Sequence, residues 1–508
     1  MKLAELLAGV PVIAIDGGDA EVEIAEVRDD SRAVGAGDLF VAVRGQTVDG
    51  HAYLRAAAER RARAVVVEAG VSREMFGGVR VQVPSTAKAL GVIAANRFGR
   101  PADALTMVGV TGTNGKTTTT FLVEALARAA GGEPGVLGTV TYRYQDISRP
   151  APFTTPTPLE LHATLDEMRR AGCTHVAMEC SSHALALDRL EGVCFSVAAF
   201  TNLTQDHLDF HQTMERYRDA KAKLFAEHVR PDGVSVVLMD HPFGAHMAAA
   251  ARGRVIRVSA MLGAAGDVRL ERFDQDVTGI RAQFATPAGT VKLTSPLIGL
   301  FNLENLAVAV GIGVGLGLAP ETIARGLDGV RGVPGRLERV GASDVFVDYA
   351  HTPDALERVM QALRPLTRGR LIVVFGCGGD RDRTKRPKMG RAVARDADVA
   401  IVTSDNPRTE DPGSILQMIL AGVNQEPSAA IPVAQLASAK RGHMALVDRR
   451  MAIEAAISAS RPGDVVLIAG KGHEDYQIVG KTKHHFDDRE EAAAALQKLA
   501  NNAGKAQS

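Results

Sequence analysis

The sequence has no tryptophan and is poor in several other features that mark particular protein classes. Aromatic residues make up 4% of the chain, which argues against the stacking platforms that bind single-stranded nucleic acid. The 59 basic residues balance the 59 acidic ones, so no net field attracts nucleic acid or an anionic membrane. The most apolar run, 306–319, is glycine-rich and too short to cross a bilayer. We therefore expect no nucleic-acid partner and no membrane insertion.

Cysteine is also scarce, with four residues in the chain (Cys173, Cys180, Cys194 and Cys377). None of them forms a C-x-x-C pair, so the spacing suggests neither a zinc site nor a disulfide framework. This usage is typical of a reduced chain, and we expect a cytoplasmic protein.

An apolar strand, a glycine-rich turn and a helix follow one another near residue 110. The strand Thr106–Thr111 leads into Gly112-Thr-Asn-Gly-Lys-Thr117, where the helix begins. Such a turn directs backbone N–H groups at an anion, and the helix N-terminus favours phosphate. Lys116 would neutralise the outer phosphates, and the Thr117 hydroxyl would bind magnesium. Because Val110 replaces the first glycine of the strict P-loop pattern, the sequence predicts a variant nucleotide-phosphate loop.

A chain of 508 residues is too long for one ordinary core, and we expect several domains. Residues 1–100 are typical of a small α/β domain. Strands and helices alternate over 101–332, which indicates a parallel sheet with crossover helices, and 333–508 is typical of a third, dinucleotide-type domain. Hinge-like segments at 96–102 and 332–336 separate the three.

Polar residues follow two predicted strands of the central domain. Glu179 ends the strand 174–179, where a nucleotide-binding sheet places a second magnesium ligand. The segment 202–211, after the strand 195–201, contains two aspartates and two histidines, His207 among them. These side chains are either metal ligands or hydrogen-bonded turn residues.

Four apolar strands are predicted in the C-terminal domain, at 345–349, 371–375, 399–403 and 465–469. Each is followed by polar residues: Asp348-Tyr-Ala-His351, Gly376-Cys-Gly-Gly-Asp-Arg381, Asp405-Asn-Pro-Arg408 and Gly470-Lys-Gly-His-Glu474. Functional side chains in open α/β sheets gather at the carboxyl ends of strands, so we interpret these four segments as one group.

Together these motifs resemble the Mur ligase family over essentially the whole chain. The resemblance implies an α/β protein with an N-terminal UDP-sugar-binding domain (1–100), a central P-loop ATPase domain (101–332) and a C-terminal Rossmann-like domain (333–508). The segments 405–408 and 470–474 look like those of the branch that adds meso-diaminopimelate to the D-glutamate of UDP-N-acetylmuramoyl-L-alanyl-D-glutamate.

The family resemblance implies an ATP-dependent ligase of cytoplasmic peptidoglycan precursor synthesis, and so a role in cell-wall biogenesis, cell shape and cell division. The substrate carboxylate attacks the γ-phosphate of ATP, and the amine of the incoming amino acid then attacks the acyl phosphate. ATP and Mg²⁺ are the implied cofactors. The implied partners are these small-molecule substrates, and we expect a monomer.

The resemblance also assigns residues to ATP and to catalysis. The implied ATP contacts are Gly112, Thr113, Asn114, Gly115, Lys116, Thr117, Thr118, Asn302, Arg336 and Asp348. The implied catalytic residues are Lys116, Glu179, His207 and Lys221. Metal ligands would be Thr117, Glu179, His207 and, if it is carbamylated, Lys221. From sequence alone, Lys221 would be a solvated helix residue, and Lys223 is close enough to be confused with it.

The nucleotide-sugar contacts implied by the family are Ser31, Gln46, Thr47, Val48, Thr154, Thr155, Ser181 and Arg189. Physical reasoning alone leaves the segment at Ser31 equally well explained as a solvated turn. One departure is Leu187, where relatives can carry glutamine, so a polar contact expected there is replaced by an apolar side chain.

The diaminopimelate contacts implied by the family are Arg381, Asp405, Asn406, Pro407, Arg408, Gly470 and Glu474. Diaminopimelate differs from lysine by a second carboxylate at its far end. The guanidinium of Arg408 can grip that group through two parallel hydrogen bonds, and lysine offers no such group. Arg381 and Glu474 would complete the pocket by receiving a carboxylate and an ammonium group.

Two other classes of protein, related ligases and regulatory switches, share part of this pattern. A lysine-adding Mur ligase or a folylpolyglutamate synthetase would use the same ATP residues but should lack either the 405–408 pattern or the domain at Ser31. A regulatory P-loop switch would carry an Asn-Lys-x-Asp guanine signature, which this sequence does not contain.

Overall fold

The computed structural model describes residues 1–45, 48–330 and 332–507, with side chains described through residue 501. The chain forms two compact units. The first comprises Met1–Arg272, Gln283–Lys292 and Glu304–Leu327, and the second comprises Phe273–Ala282, Leu293–Leu303 and Asp328–Ser508. The predicted domain boundaries near 100 and 332 remain a prediction.

The N-terminal part of the first unit contains a five-stranded sheet. Its strands are β1 (Ala14–Asp16), β2 (Val27–Arg28), β3 (Leu39–Val41), β4 (Ala64–Glu68) and β5 (Val79–Val83), in the order β1-β5-β4-β3-β2. β1 is antiparallel to β5, and the other pairs are parallel. The helices are α1 (Leu3–Leu6), α2 (Leu54–Glu59) and α3 (Thr86–Arg97).

A larger sheet follows in the same unit. Its strands are β6 (Thr106–Thr111), β7 (Pro134–Leu137), β8 (Thr141–Tyr144), β9 (Ile147–Pro150), β10 (His175–Glu179), β11 (Phe195–Phe200), β12 (Val229–Leu238) and β13 (Arg254–Ser259), in the order β13-β12-β11-β6-β10-β7-β8-β9. Three further strands of this sheet carry segments of both units: β14 (Val268–Asp276), β15 (Gly279–Thr286) and β16 (Gly289–Ser295).

Crossover helices connect the strands of the larger sheet. They are α4 (Lys116–Ala129), α5 (Pro158–Arg170), α6 (Ser182–Ala186), α7 (Leu208–His211), α8 (Met214–Glu227) and α9 (Gly244–Ala250), followed by α10 (Leu300–Gly315) and α11 (Pro320–Asp328). The central strands β6, β10 and β11 pair in parallel and are buried along almost their whole length. Continuous apolar runs fit this arrangement, because both faces of a parallel sheet are covered by helices.

The second unit is built around a six-stranded sheet. Its strands are β17 (Glu338–Arg339), β18 (Val345–Asp348), β19 (Leu371–Phe375), β20 (Val399–Thr403), β21 (Gly442–Leu446) and β22 (Val465–Ala469), in the order β17-β18-β22-β19-β20-β21. The helices are α12 (Pro353–Leu363), α13 (Lys385–Asp396), α14 (Pro412–Val423), α15 (Arg449–Ala459) and α16 (Asp488–Gln507). A hairpin of β23 (Tyr476–Val479) and β24 (Thr482–His485) precedes α16.

The four strands predicted in the C-terminal part are confirmed. Three have the predicted bounds, and β18 ends one residue earlier, at Asp348. Strand β21 was not predicted, because Gly442-His-Met-Ala-Leu446 contains a glycine and a histidine and is not a continuous apolar run. It pairs in parallel with β20. The strand forms because β20 offers hydrogen-bonding partners, and the local sequence does not show this.

The fold is α/β, as predicted, with parallel strands at the centre of each main sheet. Within the described ranges, none of the helices combines the length and the apolar character needed to cross a membrane.

The ion pair between Arg449 and Asp488 joins the first turns of α15 and α16, and both side chains are 0% exposed. Replacing Arg449 with alanine leaves a carboxylate buried without its partner, which should cost about 3–5 kcal/mol of unfolding free energy. Its neighbour Arg450 is 61% exposed and pairs with Glu491, so Arg450→Ala should cost about 0–1 kcal/mol. The midpoint of urea unfolding, followed by circular dichroism, measures both changes. Equal shifts for the two variants would contradict the prediction.

Candidate active site

Two glycines shape the turn between β6 and α4. A Cβ atom at Gly112 would lie 1.9 Å from Oγ1 of Thr201, and one at Gly115 would lie 2.2 Å from Oδ1 of Asn305. Gly115 also has a φ of +84°, the left-handed region in which glycine carries little strain. Because α4 begins at Lys116, directly after Gly115, the helix dipole is positive at this turn. The turn therefore fits a phosphate group.

The end of β11 holds the turn in place. The backbone N–H of Thr113 donates to the Asn202 carbonyl at 2.9 Å, and that of Asn114 donates to Oδ1 of Asn202 at 2.9 Å. The Thr201 hydroxyl donates to the Asn114 carbonyl at 2.6 Å. These contacts fix the backbone before any ligand binds, which reduces the ordering cost of phosphate binding.

Two lysines converge on one carbonyl of this turn. Nζ of Lys116 donates to the carbonyls of Gly112 at 2.9 Å and Thr113 at 2.8 Å. Nζ of Lys221, from α8, donates to the same Gly112 carbonyl at 2.8 Å. Lys221 is 1% exposed, so the expectation from local sequence that it is a solvated residue is wrong. The face of helix α8 that carries Lys221 packs inward. The charged residues beside Lys221 in the sequence give no sign of this burial.

Burial lowers the pKa of Lys221 well below its ordinary value, and the nearby charge of Lys116 lowers it further. A buried amine that titrates low has a larger neutral fraction, and the neutral amine is the form that can attack an electrophile. By contrast Lys223, two residues on, forms an ion pair with Asp188 at 2.7 Å. The structure therefore distinguishes two lysines that the sequence leaves interchangeable.

Glu179 lies opposite the first turn of α4 and is 1% exposed. The Thr117 hydroxyl donates to its Oε1 at 3.0 Å. The Thr139 backbone N–H donates to Oε1 at 2.8 Å, and the Thr139 hydroxyl donates to Oε2 at 3.1 Å. A carboxylate and a hydroxyl are the hard oxygen ligands that Mg²⁺ prefers, so Thr117 and Glu179 fit this ion. Thr139 was not predicted as a site residue, although it lies two residues after the end of β7.

Three histidine rings from the segments after β10 and β11 cluster together. The ring centroid of His183 lies 4.8 Å from that of His207 and 5.6 Å from that of His211. Nε2 of His211 lies 2.9 Å from the Ser182 hydroxyl. Burial lowers the pKa of all three imidazoles, that of His211 to about 4. At neutral pH these rings are uncharged, which is the state of histidine that binds metal ions.

His207 is the predicted metal ligand of this cluster, and its side chain is about half exposed at 47%. It precedes α7 with a φ of +52°, a left-handed conformation that is uncommon for a residue with a side chain. Nε2 of His207 lies 3.4 Å from the carboxylate oxygen Oδ2 of Asp206.

Four of the residues predicted to contact the nucleotide-sugar substrate lie together beside Glu179. The Thr154 hydroxyl lies 3.1 Å from that of Thr139. The Thr155 hydroxyl donates to the Glu179 carbonyl at 2.8 Å, accepts from the Ser181 N–H at 3.0 Å and lies 3.2 Å from the Ser181 hydroxyl. An Arg189 guanidinium nitrogen lies 3.5 Å from the Thr155 carbonyl.

The N-terminal residues predicted to contact the UDP-sugar substrate are Ser31, Gln46, Thr47 and Val48. Ser31 begins a short 3-10 helix capped by Asp30, and Val48 is 50% exposed. Gln46 and Thr47 lie outside the described residues. Leu187 directly follows α6, at its C-terminal cap.

The other predicted ATP residues, Asn302, Arg336 and Asp348, belong to the second unit. Asp348 accepts from the N–H groups of Leu337 and Ala350, each at 2.7 Å. Burial raises the pKa of this carboxyl, and the charge of Arg336 opposes the rise. The Arg336 guanidinium lies 4.9 Å from the ring centroid of Tyr349, and the Asn302 side chain donates to the Ile298 carbonyl at 2.8 Å.

The segment 405–408 is fixed to the loops around it. The Asn406 carbonyl accepts from the Gly379 N–H at 2.8 Å, and a Cβ atom at Gly379 would lie 1.9 Å from the Pro407 carbonyl oxygen. Arg408 has a φ of +51°, and its side chain donates to the Gly379 carbonyl at 2.8 Å. Two backbone hydrogen bonds to Ile478 and Gly480 hold it from the other side. Arg408 is therefore a rigidly placed cation with further guanidinium donors.

Glu474 and Gly470 lie next to this segment. Nδ2 of Asn406 donates to Oε2 of Glu474 at 2.9 Å. A Cβ atom at Gly470 would lie 2.6 Å from Oδ2 of Asp405. Burial raises the pKa of Glu474, and Lys471 opposes the rise. Of the predicted residues of this pocket, Arg381 is exposed, whereas Asp405, Asn406 and Pro407 are buried.

Three parts of the Mur ligase family match successive stretches of this chain. They are the Mur ligase family catalytic domain at residues 23–98, the Mur ligase middle domain at 110–313 and the Mur ligase glutamate ligase domain at 335–472.

Similar proteins cover nearly the whole chain. A Geobacter metallireducens protein named UDP-N-acetylmuramoyl-L-alanyl-D-glutamate–2,6-diaminopimelate ligase is 47% identical, with 96% of each chain covered. A Gloeobacter violaceus protein of the same name is 47% identical, with 98% of each chain covered. A solved structure of a ligase of this name has a TM-score of 0.71 and 30% identity, and it covers 98% of this chain and 99% of its own.

More distant structures share the fold. MurF from Thermotoga maritima, solved with ADP, has a TM-score of 0.57 and 19% identity, and covers 95% of this chain and 99% of its own. Nucleotide binding thus occurs among proteins of this fold. With three successive domain matches and 47% identity to relatives over at least 96% of both chains, the chain belongs to the Mur ligase family.

Proposed function

We propose that this protein is an ATP-dependent ligase that adds meso-diaminopimelate to the D-glutamate of UDP-N-acetylmuramoyl-L-alanyl-D-glutamate. The observation that carries the proposal is the 47% identity, over 96% of both chains, to a relative named for that reaction. The reaction belongs to peptidoglycan precursor synthesis, and so to cell-wall biogenesis, cell shape and cell division. We place the enzyme in the cytoplasm as a monomer, with domains at 1–100, 101–332 and 333–508.

The first chemical task is to bring a carboxylate and a triphosphate together, although the two repel each other. The turn 112–117 and the dipole of α4 would hold the phosphates, with Thr118 in the first turn of the helix. Lys116 supplies a point charge at the outer phosphates. Holding the two anions in line while their charge is neutralised is the main source of rate enhancement in phosphoryl transfer.

The proposed magnesium ligands are Thr117, Glu179, His207 and a carbamylated Lys221. A bound Mg²⁺ would supply positive charge at the phosphate oxygens during attack by the carboxylate. The low pKa of buried Lys221 supports the carbamate, since its neutral nitrogen would form a bond to the carbon of CO₂ and release a proton. The product is an anionic oxygen ligand where an ammonium stood.

For the substrate UDP-N-acetylmuramoyl-L-alanyl-D-glutamate, we propose contacts with Thr154, Thr155, Ser181 and Arg189, which lie together beside Glu179. Ser31, Gln46, Thr47 and Val48 would hold the uridine nucleotide. For ATP we add Asn302, Arg336 and Asp348 to the residues of the turn.

The incoming amino acid would lie against the segment 405–408 with Gly470, Glu474 and Arg381. Arg408 would bind the distal carboxylate of diaminopimelate with its remaining guanidinium donors. Its left-handed backbone and its hydrogen bond to Gly379 support this role, because an arginine held in place loses little entropy when it binds. Lysine, which has no distal carboxylate, would leave these guanidinium donors without that partner, which selects against it.

A phosphate-release assay tests the function directly. With ATP, Mg²⁺ and UDP-N-acetylmuramoyl-L-alanyl-D-glutamate, sustained release should require diaminopimelate and should stay low with L-lysine, because lysine has no distal carboxylate for Arg408. Mass spectrometry of the product should show the added diaminopimelate. Equal use of the two amino acids, or release without either, would overturn the proposal.

Arg408→Ala should weaken diaminopimelate use far more than ATP binding. A hydrogen bond to a charged group contributes about 1.5–3 kcal/mol. Its loss should therefore raise the KM for diaminopimelate by about 10–100-fold. The KM for ATP should change little, since Arg408 is not among the proposed ATP residues. Arg383→Ala is the matched control, because Arg383 is exposed and pairs with Glu410 at 2.9 Å. A comparable rise in both KM values would show that Arg408 has a structural role only.

The carbamate on Lys221 can be observed by carbon-13 NMR of protein equilibrated with labelled bicarbonate. Wild type and Lys223→Ala should show one carbamate signal, and Lys221→Ala should lack it. The rate constant kcat of Lys221→Ala should fall by about 10–100-fold or more, as expected when a metal site is disturbed. Lys223→Ala should keep its activity, since Lys223 pairs with Asp188 away from the turn. A signal that survives in Lys221→Ala would disprove the assignment.

A further inference from the structure

The loop after β22 contains a lysine that is completely buried. Lys471 is 0% exposed, and it is one of the largest charged side chains that the second unit removes from water. Its Nζ lies 3.4 Å from Oε2 of Glu474 and donates to the Tyr476 carbonyl. Burying an ammonium group costs free energy unless it is paired with an opposite charge. Glu474 is the carboxylate that pairs with Lys471, and what this pair does for the site is the question.

The two oxygens of Glu474 are used unequally. Both Lys471, at 3.4 Å, and the amide of Asn406, at 2.9 Å, contact Oε2. Within the described part of the chain, no hydrogen bond reaches Oε1. One oxygen is thus tied to the protein by two donors, and the other keeps its capacity to accept.

Lys471 also affects the charge of this carboxylate. Burial raises the pKa of Glu474, and the negative charge of Asp405 acts in the same direction. Lys471 opposes both effects by its charge and its hydrogen bond, and Asn406 opposes them by its hydrogen bond. Lys471 therefore favours the ionised carboxylate, which is the form that accepts from an ammonium group.

Diaminopimelate carries two amino groups, and only one of them can react. The attacking amine must lose its charge, because a protonated nitrogen has no lone pair to attack the acyl group. A carboxylate beside it would favour the protonated, unreactive form. The ammonium that a carboxylate should hold is therefore the distal, non-reacting one.

We propose that Lys471 is a positioning residue for the amino acid: together with Asn406 it fixes Oε2 of Glu474, so that Oε1 receives the distal ammonium of diaminopimelate. This inference rests on the proposed function and extends it. Arg408 would recognise the distal carboxylate, and Glu474, held by Lys471, would recognise the amino group on the same carbon.

The test compares diaminopimelate with 2-aminopimelate, which keeps the distal carboxylate and lacks the distal amino group. Wild type should prefer diaminopimelate by about 10-fold or more in kcat/KM, the scale of a charge-assisted hydrogen bond. Lys471→Met should lose most of this preference, chiefly through a higher KM for diaminopimelate. Its KM for ATP should stay within about twofold, since in the described part of the chain the Lys471 side chain contacts Glu474 and Tyr476, which are not among the proposed ATP residues.

Two further variants make the result specific. Lys498→Met removes a lysine from an exposed ion pair with Glu454 in the same unit and should keep the wild-type preference. Lys471→Gln is neutral but can still donate to the Tyr476 carbonyl, so it should lose the preference while keeping the fold, even if Lys471→Met does not fold.

The outcomes separate the two proposals. If wild type shows no phosphate release that depends on diaminopimelate, the proposed function fails. If wild type is active, but the Lys471 variants lower kcat/KM equally for both amino acids, Lys471 only stabilises the loop and the inference is overturned.

Discussion

The carbonyl of Gly112 is the point on which the first unit's site depends. It accepts hydrogen bonds from Lys116 at 2.9 Å and from Lys221 at 2.8 Å, so amino groups from two different helices meet at one atom. This arrangement places two amines at a glycine turn that has no room for a side chain. It also makes Lys221 difficult to keep charged, because burial and Lys116 both favour its neutral form.

The negative charge of the site is placed just as specifically. Glu179 is surrounded by donors from Thr117 and Thr139, which come from the two sides of β10. The histidines that follow β10 and β11, His183 and His211 among them, have lowered pKa values because they are buried. Positive charge at this edge of the sheet therefore comes from Lys116 and the helix dipole, while the low pKa values favour neutral imidazoles.

In the second unit, the two residues proposed to bind diaminopimelate, Arg408 and Glu474, are each held by contacts with the protein. Arg408 is held by its backbone on one side and by Gly379 on the other. Glu474 is held through one oxygen by Asn406 and Lys471. In both cases part of the charged group is fixed by the protein, and we propose that the other part binds the amino acid, since a site that is already rigid gains specificity without ordering flexible side chains.

Local sequence was sufficient to predict the α/β class, the glycine turn before α4 and the ends of strands such as β19 and β22, because these depend on apolar runs and on residues next to one another. It could not predict the contacts that arise from packing: the burial of Lys221 but not of Lys223, the hydrogen bonds of Thr139 to Glu179, and the contact of Lys471 with one oxygen of Glu474. Lys221 and the Gly112 carbonyl are 109 residues apart, and a contact across such a separation is set by how helices pack on a sheet. Local sequence carries no record of it.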